Sequence, residues 1–285
     1  MSVLIKADQV AKSYGSTQAL KPSSFAIEEG RILGLIGPNG AGKTTALKAI
    51  LGLTPFEGSL EVLGFNPYRQ RAELMKDVCF IADVAILPRW IKVSQALDFV
   101  ETVHPRFHRE KAMAFLEKTE ISLNKKVKQL SKGMVVQLHL ALVMAIDARL
   151  LVLDEPTLGL DILFRKSFYE SLLNDYFDEK RTIIITTHQV EEIENLLTDL
   201  MFIQHGKIVL HASMEAVADR YSEVMVTAEM REQGLAMSPI HTREVFGRHV
   251  MLFEDVPQEK LSALGELRVP SVADLFVGKM QGVSA

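Results

Sequence analysis

The segment that most limits how this chain can fold is the glycine-rich stretch Gly37-Pro38-Asn39-Gly40-Ala41-Gly42-Lys43-Thr44. It follows a nearly continuous apolar run, Arg31–Ile36, and it precedes a stretch that we predict to be helical, Thr45–Leu53. A short apolar run of this kind is typical of a strand buried on both faces of a parallel sheet. The chain therefore has to place a strand, a tight loop and a helix in succession near its N-terminus.

The stretch matches the pattern G-x-x-x-x-G-K-[ST], which binds nucleotide phosphates. Glycines allow backbone N–H groups to converge on a phosphate, and the helix that follows presents its positive N-terminus. Lys43 should reach the β- and γ-phosphates, and Thr44 should ligate Mg²⁺. Chance produces the pattern in roughly one chain of this length in a hundred. We therefore prefer a nucleotide site to a simple turn with an exposed lysine, and we assign phosphate contacts to the residues Gly37, Pro38, Asn39, Gly40, Ala41, Gly42, Lys43, Thr44 and Thr45.

Two carboxylates, Asp154 and Glu155, follow a second apolar run, Leu150–Leu153. At the carboxyl end of a parallel strand, Asp154 would hold Mg²⁺ through water and Glu155 would polarise the attacking water. A third apolar run, Thr182–Thr186, leads to His188, a candidate contact for the γ-phosphate. The plainer alternatives are a solvated strand end for the acid pair and an ordinary polar residue for the histidine.

Strands that alternate with helices in this order indicate a parallel α/β sheet. The first thirty residues are strand-like, and the middle third carries helical periodicity over Val93–Val103 and Glu110–Glu120. From about residue 216, short strand-like and helical pieces alternate in a small appendage. We predict that Met134–Ile146 is a buried amphipathic helix, because a membrane span needs about 20 mostly apolar residues.

Composition narrows the class of protein further. The net charge is −4 and the isoelectric point is about 6.1, which argues against a nucleic-acid-binding surface. The N-terminus has no secretory signal. The single cysteine, Cys79, cannot form an internal disulfide, and we expect it to be an inert buried thiol in a reducing, cytosolic compartment.

These residues together resemble the nucleotide-binding domain of ABC transporters over residues 1–215. The features that carry the resemblance occur in the family's order, and they are Tyr14, the phosphate loop, Leu130-Ser131-Lys132-Gly133-Met134, Asp154-Glu155, Gly159-Leu160-Asp161 and His188. The resemblance implies an α/β P-loop NTPase fold with a RecA-like core, an N-terminal antiparallel β subdomain and an inserted α-helical subdomain at about 84–145. It leaves residues 216–285 as a small C-terminal α+β appendage, with dimer support as a possible role.

The resemblance also implies an ATPase that works as a dimer, with ATP and Mg²⁺ as ligands. Ser131 and Gly133 would bind the γ-phosphate held by the opposite subunit, and Asp161 would close over it. Tyr14 would stack on adenine, although an aromatic residue in the core is the alternative. A serine that only caps a helix is the alternative for Ser131.

The sequence departs from the family pattern in two places. Asp83 occupies the position of the family's glutamine, where a carboxylate can still approach Mg²⁺ or its water. The segment Leu130–Met134 corresponds to the family's signature segment, and in it Lys132 and Met134 replace a glycine and a glutamine. The first departure leaves open how the site senses its membrane partner.

The family partner is an integral membrane permease subunit, which places this chain at the cytoplasmic face of a membrane in a homodimer or a heterodimer. Ile86, Leu87 and Trp90 are candidates for docking the permease, with core packing as the alternative for Trp90.

The tail 269–277 is similar to a segment of ABC-2-type exporter ATPases and favours export over import; the alternative is an amphipathic helix with Pro270 in its first turn.

Two other classes of protein remain as rivals. ABC-type ATPases that act on nucleic acid or the ribosome usually fuse two ATPase domains or carry long coiled coils, whereas this chain has one phosphate loop and no sustained heptads. In a non-hydrolysing module, nucleotide would only gate assembly. Glu155 and His188 argue against that module, and Asp83 keeps it open.

Overall fold

The computed structural model describes residues 2–82 and 87–281. The strands are β1 (Val3–Tyr14), β2 (Thr17–Glu28), β3 (Ile32–Ile36), β4 (Glu57–Val62), β5 (Val78–Ile81), β6 (Leu150–Asp154), β7 (Thr182–Thr186), β8 (Asp199–Gln204), β9 (Lys207–Ser213), β10 (Tyr221–Val226), β11 (His241–Val245), β12 (Arg248–Glu254) and β13 (Gly265–Arg268). The helices are α1 (Lys43–Ile50), α2 (Arg71–Leu74), α3 (Val93–Val103), α4 (Arg109–Leu116), α5 (Lys132–Met144), α6 (Ile162–Ser171), α7 (Val190–Ile193), α8 (Met214–Arg220), α9 (Arg231–Ala236), α10 (Gln258–Leu261) and α11 (Val272–Gln281).

A six-stranded sheet forms the centre of the molecule, in the order β5-β6-β7-β3-β8-β9. All neighbouring strands are parallel except β8 and β9, which form an antiparallel hairpin. Along each strand, alternate residues enter two different apolar clusters. Leu151 and Leu153 of β6 pack in one cluster, for example, whereas Leu150 and Val152 pack in the other. Burial on both faces explains why these strands are continuous apolar runs in the sequence.

Two smaller layers flank this sheet. The antiparallel sheet β2-β1-β4 shares the apolar cluster that contains α1. Helices α3, α4 and α5 enclose a separate cluster around Val93, Leu97 and Leu138, all of them fully buried. The predicted α/β fold class, with its antiparallel subdomain and its inserted helical subdomain, is therefore confirmed.

The C-terminal appendage is built on the antiparallel sheet β11-β12-β10-β13, which has its own apolar cluster. Helix α11 connects this sheet to the central one. The ring of Phe276 packs edge-on against Phe202 of β8, with 5.2 Å between the ring centroids. The Gln204 amide donates to the carbonyl of Met280 at 3.3 Å. Helix α11 is thus one of the elements that fasten the appendage to the central sheet; Tyr221 of β10 and Leu252 of β12 also pack in the apolar cluster of that sheet.

A buried carboxylate holds the appendage sheet together and ties α11 to it. The side chain of Glu223 on β10 is only 2% exposed and accepts hydrogen bonds from Arg243 at 2.9 Å and from Arg268 at 2.7 Å. Arg243 also pairs with Asp274 of α11 at 2.9 Å. A charge this deeply buried is tolerated because two guanidinium groups satisfy it.

Helix boundaries differ from the sequence predictions for local reasons. Helix α1 begins at Lys43 and ends at Ile50, three residues before the predicted end, because the chain turns at Gly52, where φ is +64°. Helix α4 ends at Leu116, whose carbonyl accepts a hydrogen bond from the Thr119 hydroxyl at 2.6 Å. Helix α11 begins at Val272, so Pro270 lies before its first turn.

The expectation that Cys79 is a buried thiol is confirmed, and the helix predicted over Met134–Ile146 is present as α5, from Lys132 to Met144. Cys79 is buried, and burial raises the pKa of its thiol to about 12, so it stays protonated and inert at neutral pH. Within the described ranges, no helix is both long enough and apolar enough to cross a bilayer.

We predict that Leu275→Ala lowers the free energy of unfolding by about 2–5 kcal/mol, because Leu275 is fully buried in the cluster that α11 shares with the central sheet. Val277→Ala is the matched control, since Val277 lies on the same helix and is 39% exposed. Urea denaturation measures both variants. Equal losses of stability would show that α11 does not depend on this contact.

Candidate active site

The phosphate loop lies at the carboxyl end of β3, and α1 begins at Lys43 with Gly42 as its N-cap. Gly42 has a φ of +111°, and a Cβ atom there would lie 2.5 Å from the carbonyl oxygen of Ala19. A Cβ on Gly37 would lie 2.3 Å from the carbonyl oxygen of Ile203. Only glycine fits these two positions, so the loop is packed from both sides.

The turn between β8 and β9 supports the same loop through main-chain hydrogen bonds. The Gly206 amide donates to the carbonyl of Ala41 at 2.8 Å, and the Lys21 amide donates to the carbonyl of Gly206 at 2.7 Å. A strand of the antiparallel subdomain is thereby linked to the phosphate loop. The sequence gives no signal for this support, because it depends on contacts between distant segments.

The loop opens into a cavity of about 240 Å³. It is lined by Ala19, Asn39, Gly40, Ala41, Gly42, Lys43, Thr44, Thr45, Asp154 and Glu155. Except for Ala19, all of these residues were assigned to the site from the sequence. A small apolar residue such as Ala19 carries no recognisable chemistry, which explains why sequence analysis missed it.

Lys43 is half-buried beneath the loop. Its ammonium group donates to the carbonyl of Gly37 at 2.6 Å and to the carbonyl of Pro38 at 3.2 Å. Burial lowers the pKa of Lys43, and the nearby carboxylates Glu155 and Asp154 oppose that shift. Two of the three ammonium N–H groups donate to these carbonyls, so one N–H donor remains for a phosphate oxygen.

Asp154 is 5% exposed, and it is positioned by hydroxyl groups on two sides. The Thr186 hydroxyl donates to one carboxylate oxygen, and the Thr44 hydroxyl lies 3.5 Å from the other. The adjacent Thr44 and Asp154 oxygens are hard ligands of the kind that Mg²⁺ prefers. The described residues contain no cluster of three or more His, Cys, Asp or Glu side chains suited to a metal. The residues present therefore suit a Mg²⁺ ion, which Thr44 and Asp154 would hold.

Glu155 and His188 form a hydrogen-bonded pair, with 2.8 Å between His188 Nδ1 and Glu155 Oε2. The Glu155 backbone is left-handed, with φ at +49°, a conformation that is sparsely populated for residues other than glycine. Its amide donates to the carbonyl of Thr186 at 3.1 Å, which anchors the turn to β7. Local strain of this kind is often found where a functional side chain must be aimed.

The other predicted site residues lie away from this cavity. Ser131 is the N-cap of α5 and accepts from the Met134 amide at 3.2 Å, so it caps the helix, and phosphate binding by Ser131 stays a prediction. Asp161 caps α6 in the same way, through the Phe164 amide at 2.9 Å. A Cβ atom added to Gly133 would lie 3.8 Å from the carbonyl oxygen of Gly159, so the start of α5 approaches the segment that precedes α6. Neither Ser131, Gly133 nor Asp161 lines the cavity of its own chain.

The structure decides some of the remaining alternatives. Tyr14 is 48% exposed at the end of β1, with the Lys12 ammonium group 5.0 Å from its ring centroid, so the core alternative is wrong. Trp90 is 72% exposed, and core packing is wrong for it as well. Adenine stacking and permease docking stay predictions. Asp83 and Ile86 lie outside the described residues.

Comparison with known proteins places these features in a family. The family model for ABC transporters matches residues 20–158. The Nod factor export ATP-binding protein I of Sinorhizobium fredii is 31% identical over 96% of this chain and 85% of its own length. The ABC transporter ATP-binding protein YtrB of Bacillus subtilis is 26% identical over 98% of this chain and 99% of its own length.

A solved structure of an ATP-binding subunit of an ABC transporter has the same fold. It superposes with a TM-score of 0.70 at 20% identity, over 76% of this chain and 92% of its own length. The fold, the phosphate-loop cavity and the sequence relatives agree. The chain belongs to the ATP-binding subunits of ABC transporters, the ATPases that drive transport through a membrane permease.

Proposed function

We propose that the chain hydrolyses ATP as one half of a dimer in which each nucleotide lies between two subunits, and that it serves an exporter. The observation that carries this proposal is the separation of two half-sites within one chain. The phosphate loop, Asp154 and Glu155 line one cavity, whereas Ser131 is exposed at the start of α5 and does not line it. The N-terminus of a helix attracts an anion, so this second half-site suits the γ-phosphate held by another subunit.

In the proposed reaction, the phosphate loop and Lys43 bind the β- and γ-phosphates of ATP. Thr44 and Asp154 would hold Mg²⁺, which would neutralise charge on the phosphate oxygens. Glu155 accepts a proton from the water that attacks the γ-phosphorus, and the bond to the β-phosphate breaks. An ionised carboxylate only accepts hydrogen bonds, so His188 donates to it through Nδ1. The proposed hydrogen bond from its other ring nitrogen to the γ-phosphate then requires the imidazolium form, in which both ring nitrogens donate.

An exposed apolar patch supports the dimer. Leu158, Ile162 and Leu163 surround Asp161 and are 47%, 73% and 81% exposed. Large apolar side chains clustered at a surface are typical of contact with another protein. This patch borders the start of α6, next to the exposed signature segment, and we assign it to the second ATP-binding subunit, whether identical or different.

A second exposed surface suits the permease. Trp90, Phe99 and Val103 are 72%, 65% and 58% exposed, and the last two lie one turn apart on α3. Of the docking residues predicted from the sequence (Ile86, Leu87 and Trp90), Trp90 is exposed, whereas Leu87 packs against the apolar cluster of the helical subdomain. We propose that a cytoplasmic helix of the permease packs here, which would hold the chain at the cytoplasmic face of the membrane.

Two observations support export and the division into two domains. Relatives named for Nod factor export align over nearly the whole chain, including the C-terminal part. The appendage has its own sheet and its own apolar cluster. We propose an ATP-binding domain over residues 1–215 and an appendage over residues 216–285 that supports the dimer.

Lys43→Ala should weaken MgATP binding by about 100-fold, because it removes the cation that faces the phosphates. Lys48→Ala, an exposed position on the same helix, is the control and should bind normally. Titration with a fluorescent ATP analogue measures both. Unchanged affinity of Lys43→Ala would contradict the assignment of the phosphate loop.

Glu155→Gln should keep ATP affinity, lower turnover by about 10²- to 10⁴-fold and accumulate an ATP-bound dimer. Glu191→Gln, an exposed carboxylate on α7, is the matched control. Phosphate release and size-exclusion chromatography with ATP follow the two effects. Hydrolysis by Glu155→Gln at the parent rate would show that the base is misassigned.

Affinity purification tests the partner directly. Tagged Glu155→Gln protein, isolated with ATP from solubilised membranes, should carry a stoichiometric polytopic membrane protein. Trp90→Ala combined with Phe99→Ala should lose that protein while still binding ATP. Recovery of ribosomes or other non-membrane partners alone would favour an ATPase that acts outside transport.

A further inference from the structure

The segment that carries His188 has little regular structure of its own. Strand β7 ends at Thr186, and α7 begins at Val190 and is a single turn of four residues. The local support consists of two hydrogen bonds, from the Gln189 amide to the Thr187 hydroxyl at 3.0 Å and from the Glu192 amide to the Gln189 carbonyl at 3.2 Å. A short segment of this kind holds a side chain at a fixed distance only if other parts of the molecule support it.

Arg165 of α6 provides such support. Its Nη1 atom donates to the side-chain oxygen of Gln189, the residue directly after His188. The same atom donates to the Glu192 carboxylate at 2.6 Å, within α7. The Arg165 side chain is only 16% exposed, so solvent and salt screen these charge-assisted contacts weakly.

Helix α6 also supports the turn that carries Glu155. The Tyr169 hydroxyl and the Thr157 hydroxyl form a buried hydrogen bond of 3.2 Å. Thr157 lies two residues after Glu155, within the turn closed by the Leu158 amide and the Glu155 carbonyl at 3.2 Å. One rigid helix therefore contacts both of the turns whose side chains meet at 2.8 Å.

We propose that Arg165 is a positioning residue for ATP hydrolysis, which clamps Gln189 and Glu192 and so holds His188 against Glu155. This inference rests on the roles proposed above for Glu155 and His188. Arg165 touches neither the phosphate loop nor its cavity. Its contribution is to the chemical step and not to ATP affinity.

Arg165→Ala should lower kcat about tenfold and leave KM for MgATP within about twofold, as expected when one charge-assisted contact that orders a catalytic group is lost. Arg165→Lys keeps the pairing with Glu192 and should recover part of the loss. Gln189→Ala removes one contact without touching α6, and it should lower kcat in the same direction. Arg109→Ala, which breaks ion pairs with Asp98 and Glu101 in the helical subdomain, is the control and should not change kcat.

A double-mutant cycle separates positioning from a general loss of structure. In a His188→Ala background, Arg165→Ala should change the single-turnover rate by less than about twofold, because the group it positions is already absent. An equal loss in both backgrounds would overturn the proposal. So would a loss of kcat that follows a fall in the thermal unfolding midpoint and disappears on cooling.

The same assay keeps this proposal distinct from the proposed function. If Glu155→Gln abolishes turnover while both Arg165→Ala and Gln189→Ala keep the parent kcat, the assignment of the base stands and the role of Arg165 is wrong. If Glu155→Gln retains turnover, the error lies in the proposed mechanism.

Discussion

The parallel pairing of β6, β7 and β3 is the constraint on which the site depends. Asp154 and Leu35 both lie opposite Thr186, so the three strands end at the same edge of the sheet. Parallel strands place their carboxyl ends together, and the loops that follow them meet there. The phosphate loop, the acid pair and the segment that carries His188 therefore converge although they are far apart in the chain. Thr186 of β7 contacts both members of the acid pair: its hydroxyl donates to Asp154, and its carbonyl accepts from the Glu155 amide.

The residues that line the cavity and the residues assigned to the proposed dimer contact lie in different parts of the molecule. The cavity is lined by residues at strand ends and in the phosphate loop, which are fixed by burial and by glycine-dependent packing. Ser131 and Asp161, in contrast, lie at exposed helix starts whose caps they provide. A capped helix N-terminus needs no ligand to be stable, yet it retains a positive field. In the dimer proposed above, such a surface is present in the free subunit and binds phosphate when the second subunit approaches.

Sequence reasoning succeeded where one segment contains its own signal. Strand β7 and the end of β6 were predicted because an apolar run buried on two faces leads directly to polar residues. It failed where the signal lies between segments. The residues of β8 and β9 do not indicate that the turn between them supports Ala41 of the phosphate loop. Strand β11 has alternating polar residues, a pattern that is typical of many surface segments. Arg165 resembles any charged residue on an amphipathic helix until its partners near His188 are known. Core packing of Tyr14 and Trp90 could be excluded only from the exposed fractions of their side chains in the structure.

The docking of α11 on β8 has a consequence for how the chain is made. Gln204 and Met280 are 76 residues apart in the sequence, and yet they are hydrogen-bonded. During synthesis, β8 emerges from the ribosome long before α11, the helix that packs against it. The side of the Phe202 ring that Phe276 covers therefore stays uncovered, or is shielded by a chaperone, until the last part of the appendage emerges. Translation that stops between the two segments would release a nearly complete ATP-binding domain with an open apolar face, a good substrate for quality-control proteases.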